Sequence, residues 1–217
     1  MDVSSGRTQQ TFSAPDWITV LTGRWAREHG ILDNDSAGPI KVETLFERVE
    51  EDVPGSRSLL VTQWKRLYEL VRERLDARSG LHHATVLRAD DAAIEQEVLG
   101  TWRRCQPQLA FIHLDAVDQA GHRGAFDVGD AGYAAAVRET DGRLRRLWES
   151  ALNVSPGPER LVIVVSDHGG MGNGHGRYSE AERMAPVLVV MPAGHSAVGV
   201  RDLVGVGRVV LEFLRGG

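Results

Sequence analysis

The chain has 217 residues, 42% hydrophobic and 25% charged, the ordinary make-up of one globular domain large enough to bury most of its apolar surface. A net charge of −5 gives no electrostatic reason to expect nucleic acid or an anionic membrane as partner, and no apolar run reaches the length of a membrane span. One cysteine, Cys105, excludes an internal disulfide framework, and the polar Met1 to Gln10 stretch is unlike a secretion signal.

In chain order, TFSAPDWITVLTG (Thr11 to Gly23) reads as a turn leading into a short helix, with Pro15 in the first turn and Gly23 as the stop. Ser13 stands where an N-cap would be, so it is either a cap or a nucleophile set against helix-terminal N–H groups that favour anions. HGILDND (His29 to Asp35) is a loop, and Asn34 there either donates its amide to a substrate oxygen or makes a turn. An amphipathic helix is expected over Val42 to Glu51, then a strand over Ser58 to Thr62, then helices to about Arg78 and over Ala92 to Arg104. His82 and His83 are neighbours in sequence, point in different directions and are read as surface residues.

LAFIHL (Leu109 to Leu114) is a buried strand, followed by DAVDQAGHRG. Asp118 and His122, four apart, lie on one face of a helical turn and either grip one ion or form an incidental surface pair. His113 is read either as a satisfied strand residue or as a partner behind a ligand, not as a ligand itself. Ala131 to Leu152 is a long amphipathic helix, and Ser155 to Pro158 a turn.

LVIVVSDHGGMGNGHGR (Leu161 to Arg177) holds five apolar residues without alternation, as in a parallel strand covered on both faces. Asp167, His168 and His175 follow it, and six of the seven other residues from Gly169 to Gly176 are Gly or Asn, which lets the backbone wrap a bound group. PVLVVM (Pro186 to Met191) is a further buried strand and Val204 to Leu214 a closing helix. Strands alternating with helices predict a single α/β domain over 1–217, a three-layer α/β/α sandwich with a largely parallel central sheet.

SAPDWITVLTG with HGILDN, then DQAGH, then SDHGG with GHG and SEAERMAP, together resemble the alkaline phosphatase superfamily, closest to its type I phosphodiesterase/nucleotide pyrophosphatase branch. The likeness runs from residue 13 to residue 186. It implies a metal-dependent phosphohydrolase that cleaves phosphodiester or pyrophosphate bonds through a phosphoseryl intermediate on Ser13, with Asn34 holding a phosphoryl oxygen. It also implies a two-metal site in which Asp118, His122 and His175 hold one divalent ion while Asp167, His168 and the Ser13 oxygen hold the other. Two such ions about 4 Å apart can share a phosphate between attacking and leaving oxygens. Mixed imidazole and carboxylate ligands favour zinc, with manganese an alternative.

The family places a further ligand Asp at the end of a first strand, some tens of residues before the nucleophile. Only twelve residues precede Ser13 here, so that strand and its Asp are expected upstream of Met1. The expected partner is a small phosphate ester, and location is read as cytoplasmic for the chain as it stands and exported if translation starts upstream. Three rivals share the scaffold: a phosphomonoesterase or phosphomutase, a sulfatase-like hydrolase, and a non-catalytic paralogue. The sulfatase signature wants Arg where this chain has Trp17, and a phosphomutase cap has little room between Asn34 and Leu109.

Overall fold

The computed structural model describes residues 1–4, 9–75, 83–86, 90–153, 159–192 and 200–216. His82 and the expected turn at Ser155 to Pro158 lie outside the described residues, as does the side chain of His83. The N-terminal half runs α1 (Ser13–Thr22), α2 (Ala26–His29), α3 (Leu45–Asp52), β1 (Ser58–Thr62), α4 (Lys65–Leu75), β2 (His83–Val86), α5 (Asp91–Cys105) and β3 (Leu109–Ile112). It continues through α6 (Ala116–Arg123), α7 (Ala131–Asn153), β4 (Val162–Val165), α8 (Glu180–Arg183), β5 (Val187–Val190) and α9 (Leu203–Leu214).

The central strand is β1, buried at every position. It pairs in parallel with β2 on one side and β3 on the other. Successive strand side chains point to opposite faces, and both faces of β1 are covered. Leu60 joins Ile18 and Leu21 of α1, Phe46 of α3, Leu67 and Leu70 of α4, and Leu203 of α9. Leu59 and Val61 pack instead against Ile94 and Val98 of α5 and Leu147 of α7. This is why SLLVT shows no polar alternation: neither face of the strand meets water.

The α/β class and the parallel sheet agree with expectation; among the described residues that sheet has only three strands, and the single central sheet of the expected three-layer sandwich is not seen. β4 and β5 pair antiparallel, Val162 opposite Val190 and Val165 opposite Val187, and share no ladder with β1–β3. β4 is only half-buried, and β5 alternates, with Leu188 58% and Val190 36% exposed. An antiparallel pair can leave one face to solvent. A short apolar run looks the same in either setting, so the sequence alone could not separate them.

α1 is buried from Ala14 to Thr22 and carries polar groups inward. A chain of buried hydrogen bonds runs beneath it: Thr19 Oγ1 lies 3.1 Å from His29 Nε2, Gln9 Nε2 donates to Thr19 Oγ1 at 3.1 Å, and Gln9 also donates to Asp16 Oδ1. His29 Nδ1 accepts the Ile31 N–H at 3.2 Å. Burial pushes the His29 pKa from 6.5 down to about 4, so the folded state prefers the neutral ring.

The resulting linkage has a definite sign. The stability contributed by His29 is fully present above pH 6.5 and is lost as pH falls through 4. The unfolding free energy of the parent chain should therefore exceed that of His29→Gln above pH 6.5, and the gap should shrink toward pH 4 by up to roughly 3 kcal/mol. Urea titrations across this range check it; a gap independent of pH would contradict it.

Candidate metal centre and nucleophile

Ser13 does not act as the N-cap of α1. That position belongs to Phe12, which makes no side-chain cap bond, and Ser13 is the first helical residue. Asn34 takes over the capping, its Oδ1 accepting the Ala14 N–H at 2.8 Å. Because an N–H needs an acceptor, this bond fixes the amide orientation, and Asn34 Nδ2 has no partner among the described residues. Ser13 Oγ, released from capping, lies 3.2 Å from His168 Nε2.

The segment after β4 carries Asp167 and His168, 8% and 5% exposed. His168 Nε2 lies 3.3 Å from Asp167 Oδ2, so Ser13 Oγ, His168 Nε2 and Asp167 Oδ2 stand together. A second group forms where α6 meets the Gly-rich loop. His122 Nε2 is 3.1 Å from His175 Nε2 and 3.4 Å from Asp118 Oδ2, and His175 Nε2 is 3.8 Å from Asp118 Oδ1. Ligands held about 2.0–2.1 Å from a tetrahedral ion lie roughly 3.3 Å apart, and the contacts within the two groups span 3.1 to 3.8 Å. The groups adjoin, with the rings of His168 and His175 stacked at 3.6 Å.

The histidine tautomers are set by the backbone. His122 Nδ1 lies 2.9 Å from the Asn173 carbonyl, His168 Nδ1 2.9 Å from that of Gly169, and His175 Nδ1 2.7 Å from that of Thr11. A carbonyl only accepts, so each Nδ1 carries hydrogen, and in the neutral ring each Nε2 is a bare lone pair. Burial lowers the pKa values of His168 and His175, which favours that neutral form. Two lone pairs 3.1 Å apart, as in His122 and His175, need a proton or a cation between them. Asp118 Oδ1 is buried with no hydrogen-bond partner. Such a donor set, poor in protons and holding an orphaned carboxylate oxygen, suits a divalent cation.

Burial also drives the Asp167 carboxyl up to about 7, with the nearby His113 opposing it and Asp118 reinforcing it. Asp16, one helical turn beyond Ser13, is fully buried and its pKa is raised as well, chiefly by burial and further by Asp167. Its Oδ2 has no hydrogen-bond partner.

The structure thus brings Ser13, Asp167 and His168 into one group, Asp118, His122 and His175 into another, and Asn34 to the start of α1. Among the described residues, only Asp118, His122 and His175 form a His/Asp cluster of three, so the Ser13 group counts two such residues, Asp167 and His168, plus the Ser13 hydroxyl. Sequence reasoning missed three supports. Thr11 offers its carbonyl to His175, while its Oγ1 accepts the Gly176 N–H at 2.9 Å and donates to the Arg177 carbonyl at 3.1 Å. Asp91 caps α6 from a distant helix, accepting the N–H groups of Asp115 at 3.0 Å and Ala116 at 3.2 Å. Asp16 had one available signal, its spacing of three from Ser13.

A family model described as type I phosphodiesterase / nucleotide pyrophosphatase matches residues 48–198. Asp118, His122, Asp167, His168 and His175 fall within that span, while Ser13 and Asn34 precede it. No curated protein matches the chain significantly.

A cation held by Asp167 and His168 requires Asp167 ionised, whereas below pH 7 the metal-free carboxyl keeps its proton. Zinc binding at pH 6 should therefore expel roughly one proton more from the parent chain than from Asp167→Asn, and at pH 8.5 the difference should vanish. Calorimetry in buffers of differing ionisation enthalpy measures this. An equal release at both pH values would show that Asp167 takes no part.

Proposed function

The chain belongs to the type I phosphodiesterase / nucleotide pyrophosphatase family, and on that premise we propose that it cleaves phosphodiester or pyrophosphate bonds through a phosphoseryl intermediate on Ser13. The observation that carries this reading is the approach of Ser13 Oγ to His168, which in turn adjoins Asp167, with the Asp118–His122–His175 group stacked alongside. Asp118, His122 and His175 would hold one divalent cation, and Asp167 and His168 with the Ser13 oxygen the other. Zinc fits this mixture of imidazole and carboxylate best, with manganese an alternative. When bound, such a cation pair lowers the pKa of a hydroxyl and neutralises charge on attacking and leaving oxygens.

The chain's own residues supply the rest. Ser13 is presented at the start of α1, where the helix dipole favours a phosphate. Its Oγ, giving up its proton, forms a bond to phosphorus as the bond from phosphorus to the leaving oxygen breaks; a water then attacks the same phosphorus and displaces Oγ, which releases the phosphomonoester and restores the hydroxyl. Asn34, anchored through Oδ1 to Ala14, keeps its Nδ2 hydrogens for an equatorial oxygen of the transition state. The same pinning limits the reorganisation needed as charge develops.

The surroundings of Trp17 bear on the sulfatase rival. The indole is 8% exposed and meets Phe111 and His113 edge-on at 5.5 and 5.2 Å. An arginine there would face an apolar core instead of a sulfate group.

Ser13→Ala should lower turnover of an aryl phosphodiester by roughly a thousandfold or more while leaving the metal content largely intact. Asn34→Asp keeps the acceptor for Ala14 but loses the donor. It should cost about a hundredfold in kcat with little change in melting temperature. The matched aryl monoester completes the assay: a preference for it would move the chain toward the phosphomonoesterases, and full activity of Ser13→Ala would rule out the covalent intermediate.

A further inference from the structure

Phe126 belongs to none of the hydrophobic clusters of the fold and is only half-buried, yet it sits where the two cation-bearing segments meet. Its ring lies edge-on to His122, centroids 5.3 Å apart at 86°, and edge-on to His175 at 6.1 Å and 85°. Tyr133 of α7 backs it at 5.9 Å. Its N–H donates to the Gly172 carbonyl at 2.7 Å, which ties residue 126 to the Gly-rich loop.

The glycines on either side show how tightly this ring is seated. A Cβ on Gly121, the residue before His122, would lie 2.5 Å from a Phe126 ring carbon; one on Gly170, two after His168, would lie 2.2 Å from another. Gly121 of DQAGH and Gly170 of SDHGG therefore both leave space for one aromatic ring. Each imidazole is held at Nδ1 by a carbonyl, but one hydrogen bond leaves the ring plane free to tilt. An aromatic edge against the ring face removes that freedom, because aromatic pairs prefer edge-to-face packing.

The geometry points to Phe126 as the positioning residue of the first cation site, wedged between α6 and the Gly-rich loop so that His122 and His175 converge with Asp118. The inference rests on the reading of those three residues as a cation site. It assigns Phe126 no contact with substrate. Its place outside the main core means that removing the ring should disturb the site more than the fold.

Cobalt(II) titration of the full chain tests this, because visible cobalt bands report the geometry of the ligand field as well as occupancy. Phe126→Ala should weaken cobalt binding at this site by about 10–100-fold and alter the band shape. Unfolding of the chain in EDTA should move little. Phe126→Tyr, which keeps the ring, should restore both affinity and spectrum, and Phe126→Leu, which keeps volume without a ring face, should restore them only in part. Gly121→Ala alone should mimic the loss, whereas adding it to Phe126→Ala should cost nothing further. If the Ala variant failed to fold, the Leu and Tyr pair would carry the same comparison. Parental affinity and spectrum in Phe126→Ala would overturn the inference while leaving the cation site standing. A parent chain that takes up no cobalt would overturn both.

Discussion

Three imidazoles give their Nδ1 hydrogens to backbone carbonyls, and the chemistry available to the site follows from that arrangement. A histidine fixed in this way presents Nε2 as a lone pair, and burial keeps the His168 and His175 rings neutral near physiological pH. One of the three carbonyls, that of Thr11, comes from the segment just before Ser13. The contact that sets the tautomer of a metal-ligand candidate therefore also ties the Ser13 segment to the Gly-rich loop. The Thr11 hydroxyl adds two further bonds to the same stretch.

This arrangement explains an otherwise unfavourable local electrostatics. Asp16 and Asp167 are buried carboxyls whose pKa values burial raises, Asp167 raising Asp16 further, and Asp118 carries an oxygen with no hydrogen-bond partner. Buried acids of this kind destabilise a fold unless a proton or a cation compensates them. The cost is concentrated beside Ser13, the proposed nucleophile, and functional sites commonly gather such groups. The parallel sheet and the helices around β1 supply the stability against which it is tolerated.

Local patterns carried much of this in the sequence. The i, i+4 spacing of Asp118 and His122 places both on one face of α6, and the β-branched run before Asp167 sets that residue just past a strand end. The same residues did not reveal that β4 pairs antiparallel with β5, since an apolar run of four has no direction written in it. Ser13 as a cap was a reasonable local reading overturned by a distant residue: Asn34 reaches the helix start across twenty positions. Asp91 capping α6 and Phe126 seating two histidines are non-local in the same way. Side-chain patterns report the face a residue occupies; only tertiary structure reports what that face meets.

The most direct test is anomalous diffraction at the zinc edge from zinc-soaked crystals of the chain. Two peaks should appear, one enclosed by Asp118, His122 and His175 and the other bounded by Asp167, His168 and the Ser13 oxygen. A single peak far from Ser13, or none among these side chains, would contradict the paired-cation account.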